Sequence, residues 1–356
     1  MATLAEKLNA LSKPGWLYNE TEKQSVRCHA CAHRCLIKPG KRGVCQMRFN
    51  LDGKLMVPSG YVAAAHVDPI EKKPFMHFLP GSDAMTIGML GCNFHCDFCQ
   101  NWVSSQALRD PAAESSGLDI QEINPEELLI YTLRSGADII ASSYNEPLIT
   151  SEWAIEIFKL AKEHDLLCAY VSNGYATSEV LHALEPVLDG FKVDLKCMTD
   201  DKYRSLGGRL EAVKDSIRLA YELGMWVEVV TLIVPGFNDS PVELRGMADF
   251  LVSVSADIPW HVTAFHPMYK RLDGNRTSAD ILLRAAEIGQ DEGLHYVYAG
   301  NLPGRVGSLE DTLCPDCGKL LISRSGYFIR ENRITSEGAC PDCGAAIAGV
   351  WRQPTT

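Results

Sequence analysis

The stretch GCNFHCDFCQN, Gly91 to Asn101, sets Cys92, Cys96 and Cys99 within eight residues. The spacing is C-x3-C-x2-C. It follows directly on AMTIGML (84–90), an apolar run of strand length, and precedes a helical region. Thiolates this close together serve a metal, and metal sites usually take four ligands. Two readings fit three. A zinc ion could borrow His95 as a local fourth ligand. A four-iron cluster could instead keep one iron open for a further molecule.

Working outward, strand-like and helix-like runs alternate. DIIASSY (138–144), LLCAYVS (166–172), FKVDLK (191–196), WVEVVTLIV (226–234) and WHVTAF (260–265) are apolar or β-branched. Between them lie helical patterns such as PEELLIYTLRSG and SPVELRGMADFLVSV. Pro125 and Thr150-Ser151 read as helix starts, and Gly136, Gly224 and Gly293 as stops. Such alternation implies a parallel sheet with crossover helices, open or partly closed as a barrel. Ligands then gather at the carboxyl ends of the strands. YNEP, SNG, DLK, PGFND and FHP all fall at that end.

The stretches 1–80 and 301–356 lack this rhythm and read as modules flanking a barrel at 81–300. Among 356 residues, formal net charge is −11 with a pI near 5.4, against indiscriminate nucleic-acid binding. The N-terminus has no signal-peptide core, and no apolar run is long enough to cross a membrane. A cytoplasmic protein is expected. Thirteen cysteines in a reducing compartment favour metal ligation over disulfides. Cys168 and Cys197 stand alone; Cys168 reads as core, and Cys197 as packing or a neighbour of the site.

Cys28, Cys31, Cys35 and Cys45 follow C-x2-C-x3-C-x9-C, with His29 and His33 interleaved. Four thiolates there could hold zinc or a second four-iron cluster. In the tail, two C-P-D-C-G knuckles pair Cys314 and Cys317 with Cys340 and Cys343 across a hairpin-like middle. Each knuckle presents two sulfurs from a tight turn, as a tetrahedral zinc ribbon requires; rubredoxin-type iron is the alternative. With few positive charges nearby, the ribbon reads as protein-facing or as a structural cap.

The C-x3-C-x2-C loop after a strand, with Phe98 before the last cysteine, resembles the radical S-adenosylmethionine (SAM) superfamily. The resemblance implies an α/β fold with a partial (β/α)6 radical SAM barrel, a [4Fe-4S] cluster on Cys92, Cys96 and Cys99, and SAM on the open iron. YNEP, SNG, DLK, VPGFND and FHP resemble landmarks of the glycyl-radical-activating branch. By matching position, Glu146 would accept from the SAM amino group, with Ser172 and Asn173 beside its methionine and ribose. Asp194 and Lys196 would face its carboxylate, and His266 its ribose or the substrate. Read without the family, Glu146 could cap a helix, Lys196 be solvated and His266 be a core residue. The activases carry an acid before the Ser-Asn-Gly element that helps hold a monovalent cation; here that position is Val171. DPIEKKPFMHFLPG (68–81) reads as a connecting loop whose lysines and His77 could meet SAM or an anionic substrate.

With CHACAHRC, DPIEKKP, FCQNW and the final AGVW, the chain resembles the radical SAM component of the AmmeMemoRadiSam system. That implies Memo-like and AMME-candidate-like protein partners and an electron donor such as flavodoxin or ferredoxin, and leaves nucleic acid open. The implied substrate is a small molecule, nucleoside or RNA base. The alternative is an activase that installs a glycyl radical on a partner enzyme.

Overall fold

The structure is a computed structural model that describes residues 3–351; residues 1, 2 and 352–356 of the flanking modules lie outside the described residues. Its centre is one eight-stranded sheet: β1 (Ala64–Pro69), β2 (Asp83–Gly88), β3 (Ile139–Ser142), β4 (Leu167–Ser172), β5 (Gly190–Asp194), β6 (Trp226–Ile233), β7 (Trp260–Ala264) and β8 (Val297–Gly300). Strands neighbour one another in chain order, without closure between β8 and β1. β2 to β8 are parallel, in registers such as Ala84↔Ile139↔Leu167. The sheet therefore holds all six predicted strands and adds β8. It also begins upstream of residue 81, because β1 pairs antiparallel with β2 from Ala64↔Gly88 to Pro69↔Asp83. Half of β1 is exposed, at Ala65, His66 and Val67, so it carries no buried apolar run for the sequence to betray.

Six crossover helices cover the outside: α1 (Pro125–Ser135), α2 (Ser151–Lys162), α3 (Ser178–Leu184), α4 (Leu210–Glu222), α5 (Pro241–Val254) and α6 (Ala279–Asp291). Asn124 and Glu127 form a capping box before α1, with Pro125 in its first turn, and Gly136 closes it at φ 74°. Helix-facing residues Met85, Ile87, Ile140, Cys168 and Tyr170 join the main core.

The other face of the sheet lines the barrel, and period-2 alternation decides what points there. Toward the strand starts, Ala84, Ile139, Ala141, Leu167 and Ala169 pack on Ile70, Phe75, Phe78 and Leu79. The segment expected to be a connecting loop is thus a plug. Phe78 lies so close to Gly190 that a Cβ there would sit 3.0 Å from its ring. Buried Glu228 holds the plug, accepting from the backbone of Met76 and His77, from Trp226 Nε1 at 2.9 Å, and pairing with His261 at 2.7 Å. The plug thus fills the bottom of the barrel and leaves its interior free toward the carboxyl ends of the strands.

Two three-stranded sheets build the N-terminal region, one of them Tyr18–Glu20, Val26–Cys28 and Leu36–Ile37; Cys28 ends a strand, and Cys31, Cys35 and Cys45 lie in the connecting loops. In the tail, Thr312–Leu313, Leu320–Ser325 and Phe328–Asn332 form a third such sheet. Arg324 ties it to the plug through Met76 O at 2.8 Å, and His77 bonds Ala348 O and Tyr298 Oη, each at 2.6 Å. His77 is therefore a buried fastener, away from the barrel mouth.

Candidate active site

The loop after β2 is set by close backbone approach. Gly91 has φ 92°, and a Cβ there would come within 2.2 Å of Met47 Cγ. Asn145 accepts from Met89 N at 3.0 Å, and Glu146 N donates to Gly91 O at 3.1 Å. YNEP thus fastens the cysteine loop to β3. Tyr144 carries a positive φ of 65° to make this turn, unusual for a bulky residue and a mark of local strain.

Above the plug lies a cavity of about 410 Å³. Cys96, Phe98, Cys99, Gln100 and Asn101 form one wall. Val171, Lys192, Asp194, Lys196, Val230, Leu232 and Thr263 line it from the strand ends. Lys192, Asp194 and Lys196 follow one another at period two, so all three face inward. Asp194 pairs with Lys192 and, at 2.9 Å, with Lys196. Burial would raise Asp194, but the two lysines hold it well below the ordinary carboxylate range. Burial likewise works to lower Lys196, and Asp194 and Cys96 more than offset it. Lys196 is a fixed cation beside the cysteine loop.

Glu146 does not line this cavity. It is buried, accepts from Ser172 Oγ at 2.7 Å, Asn173 N at 2.8 Å and Leu148 N at 3.1 Å, and caps the turn Pro147–Thr150. Burial pushes its carboxyl up to about 7 against those three hydrogen bonds. It organises the Ser172-Asn173-Gly174 turn from beneath. Asn173 Nδ2 reaches 3.8 Å from Cys92 Sγ. His266 is half-buried past β7 and outside the cavity lining. Thr263 and Asn301 line that side instead. Cys197 is buried with its Sγ toward Thr199 O, and Cys168 is buried in β4.

Sequence reasoning missed Lys192 and Tyr327, whereas the lysines of DPIEKKP, weighed there as contacts for SAM or an anionic substrate, do reach the cavity wall. Lys192 was legible in the inward period of β5. Lys72 and Lys73 enter from the segment after β1, where Lys73 bonds Asp68 at 2.9 Å and lies over the Tyr144 ring. Tyr327 comes from the hairpin turn of the tail, which no local pattern could aim at the barrel mouth.

The cysteine groups differ in spacing. In the tail, Cys314 and Cys343 sulfurs stand 3.6 Å apart, and Cys317 and Cys340 3.7 Å. Zinc–sulfur bonds of about 2.3 Å in a tetrahedron require roughly 3.8 Å between sulfurs, so a single metal ion fits. Gly318 and Gly344 adopt φ 70° and 79° behind the knuckles. Among the described residues this quartet alone gathers its ligand atoms within 4.8 Å of one another. His95 turns into a separate cleft with Asp97, Arg109 and Lys270, so it does not complete a zinc site with the loop.

The sequence matches the radical SAM superfamily over residues 86–251. An uncharacterized protein of Methanocaldococcus jannaschii is 38% identical over 333 residues, covering 93% of this chain and 97% of that one. A putative glycyl-radical enzyme activating enzyme of the same organism is 25% identical, covering 58% and 77%. Pyruvate formate-lyase-activating enzyme of Clostridium pasteurianum is 28% identical, covering 46% and 67%. The superfamily implies a [4Fe-4S] cluster and SAM, and the loop suits both. Burial raises all three thiols, Cys96 to about 12, so thiolates side by side here need a cationic core among them. No three ligand atoms of the loop lie within 4.8 Å of one another, too spread for one ion, and Lys196, paired with Asp194, stands beside them. The loop, the parallel sheet and these relatives agree that the chain is an enzyme of the radical SAM superfamily.

Proposed function

We propose that the chain is the radical SAM component of an AmmeMemoRadiSam system, acting on a small molecule, nucleoside or RNA base with Memo-like and AMME-candidate-like partners in the cytoplasm. One observation carries the chemistry: Cys96, Cys99 and Lys196 converge on a single cavity above a plugged barrel. When bound, the cluster supplies one electron that cleaves SAM to methionine and a 5′-deoxyadenosyl radical, which takes hydrogen from the substrate.

Cys92, Cys96 and Cys99 would hold that cluster. Lys196 would bind the SAM carboxylate by a charge-assisted hydrogen bond, while Lys192 keeps Asp194 paired. The Ser172-Asn173 turn, held from below by Glu146, would meet the methionine and ribose. Phe75 and Phe78 exclude water from beneath. Zinc suits the tail quartet, because four thiolates at tetrahedral spacing are its usual structural set.

The named activating relatives favour a second reading, in which the radical is installed on a glycine of a partner enzyme. Those relatives align with 58% and 46% of this chain. The first reading is preferred because Tyr327, from the tail, lines the cavity as well. The test is to incubate the anaerobically reconstituted, reduced enzyme with SAM and fractions of cell extract. Substrate-dependent 5′-deoxyadenosine in a small-molecule or nucleoside fraction supports the first reading. A glycyl-radical resonance on a partner protein supports the second. No SAM cleavage, or cleavage that persists in Cys96→Ala, defeats both.

A further inference from the structure

The N-terminal cysteines resemble the catalytic loop in spacing and differ from the tail. All four are free; Cys28, Cys31 and Cys45 are buried and Cys35 half-buried. Burial, then Cys28 and Cys45, pushes the Cys31 thiol well above its ordinary value, and Cys35 feels burial, Cys45 and Cys28 in the same sense. Cys28 N donates to Cys35 O at 3.0 Å and Val44 N, beside Cys45, to Cys35 Sγ at 3.4 Å, so the loops that bear the four meet. Yet no three ligand atoms of this group lie within 4.8 Å of one another, whereas the tail quartet meets that spacing in the same structure. Thiolates on one zinc ion sit close; thiolates on separate irons of a cubane stand farther apart.

The module is also docked on the catalytic loop. His33 Nε2 meets Asn93 O at 3.0 Å, and Ala32 N donates to Tyr175 O at 3.0 Å. The fully buried Asn93 side chain spans the two cysteine groups. Its Oδ1 lies 3.8 Å from Cys92 Sγ and accepts from Asn173 Nδ2 at 2.7 Å. Its Nδ2 is buried with no hydrogen-bond partner among the described residues, and the side chain lies near the Cys31 thiol.

We infer that Cys28, Cys31, Cys35 and Cys45 hold a second four-iron cluster, and that Asn93 links it to the Cys92 side as the entry route for electrons. One electron arrives from a low-potential, one-electron protein donor and lowers the N-terminal core from 2+ to 1+. The same electron then passes along Asn93 and lowers the catalytic core from 2+ to 1+, restoring the first. No bond is made or broken and no proton moves. The site stands by itself; only the relay rests on the proposed function.

The test uses the full chain with Cys92→Ala, Cys96→Ala and Cys99→Ala combined, reconstituted anaerobically with iron and sulfide. About four irons and four sulfides per chain, with a paramagnetic signal after dithionite, are expected. Zinc at the N-terminal quartet, or no iron there, overturns the assignment. With the catalytic cysteines intact, Asn93→Ala should lower the midpoint potential of the N-terminal signal, because hydrogen bonds to sulfur help set it. Asn93→Asp, of the same shape, is the second variant should the first not fold. An unchanged potential overturns the link. SAM cleavage by the wild type reports on the proposed function separately, so either failure can be recognised.

Discussion

Glu146 lies directly beneath Ser172, its Oε1 accepting from Ser172 Oγ at 2.7 Å while its Oε2 takes Asn173 N at 2.8 Å. The acid read from its motif as a ligand for SAM therefore also supports this turn. Its carboxyl, raised to about 7 by burial, binds a proton in the folded chain that the unfolded chain releases near the ordinary glutamate value of 4.5. The sign follows. Stability from the protonated form is full below the lower value and lost as pH rises through the upper one. In Glu146→Gln that contribution disappears. The stability difference, wild type minus variant, should fall by at most about 3 kcal/mol between roughly pH 5 and 8. Denaturant titrations of the apo-protein across that range check it; a difference that rises with pH refutes it.

The alternation of apolar runs and helical patterns exposed the parallel sheet, because strands buried on both faces read as continuous apolar stretches. β1 escaped because an exposed edge has no such run. The plug escaped because Phe75 and Phe78 pack against strands distant in sequence, with no local period of their own. At the site, Lys196 was visible in DLK, and Lys192 stood two residues before Asp194 on the same face. Tyr327 was out of reach, since its place depends on Arg324 gripping Met76 O across the molecule. Residues on one strand can be inferred from period; residues brought by docking cannot.

Lys196→Ala should weaken SAM binding about ten- to a hundredfold, the worth of a charge-assisted hydrogen bond of about 1.5–3 kcal/mol. Asp194 keeps Lys192 as its partner, so the fold should persist. Equilibrium binding to the reconstituted enzyme, beside a thermal melt, separates the two effects. Unchanged SAM affinity would remove Lys196 from the site.

Cys314→Ser leaves three thiolates in the tail. Since binding of a structural metal is also folding free energy, its loss should loosen the ribbon before it touches chemistry. The variant should lose its tail metal by elemental analysis and melt several degrees lower, with the catalytic cluster still assembled. A variant as stable as wild type but inactive would make the ribbon's metal a participant in turnover.

Tyr327→Ala removes the tail's contribution to the cavity wall. Water and dioxygen should then reach the cysteine loop more easily, and bleaching of the cluster in air should quicken several-fold. Tyr327→Phe keeps the ring and should match the wild type. Equal bleaching rates in all three proteins would show that the tail does not shield the site.

Arg48 and Glu152 join the N-terminal module to α2 through two parallel hydrogen bonds of 2.6 Å, and Arg48 also donates to Ile149 O at 3.0 Å. Both side chains are almost wholly buried, at 2% and 1% exposure. Burial would raise Glu152, but Arg48 holds it below the ordinary carboxylate value, so the pair's stabilisation is present above that value and lost on acidification. Arg48→Met leaves a buried carboxylate without its cation and should cost about 3–5 kcal/mol at neutral pH. At acid pH, where Glu152 can take a proton, the loss should shrink. Adding Glu152→Leu should recover most of it, since the charge left unpaired is what costs. Calorimetry of both variants across pH decides this. An Arg48→Met protein that melts like the wild type at neutral pH would mean that the N-terminal module is held by its apolar contacts alone.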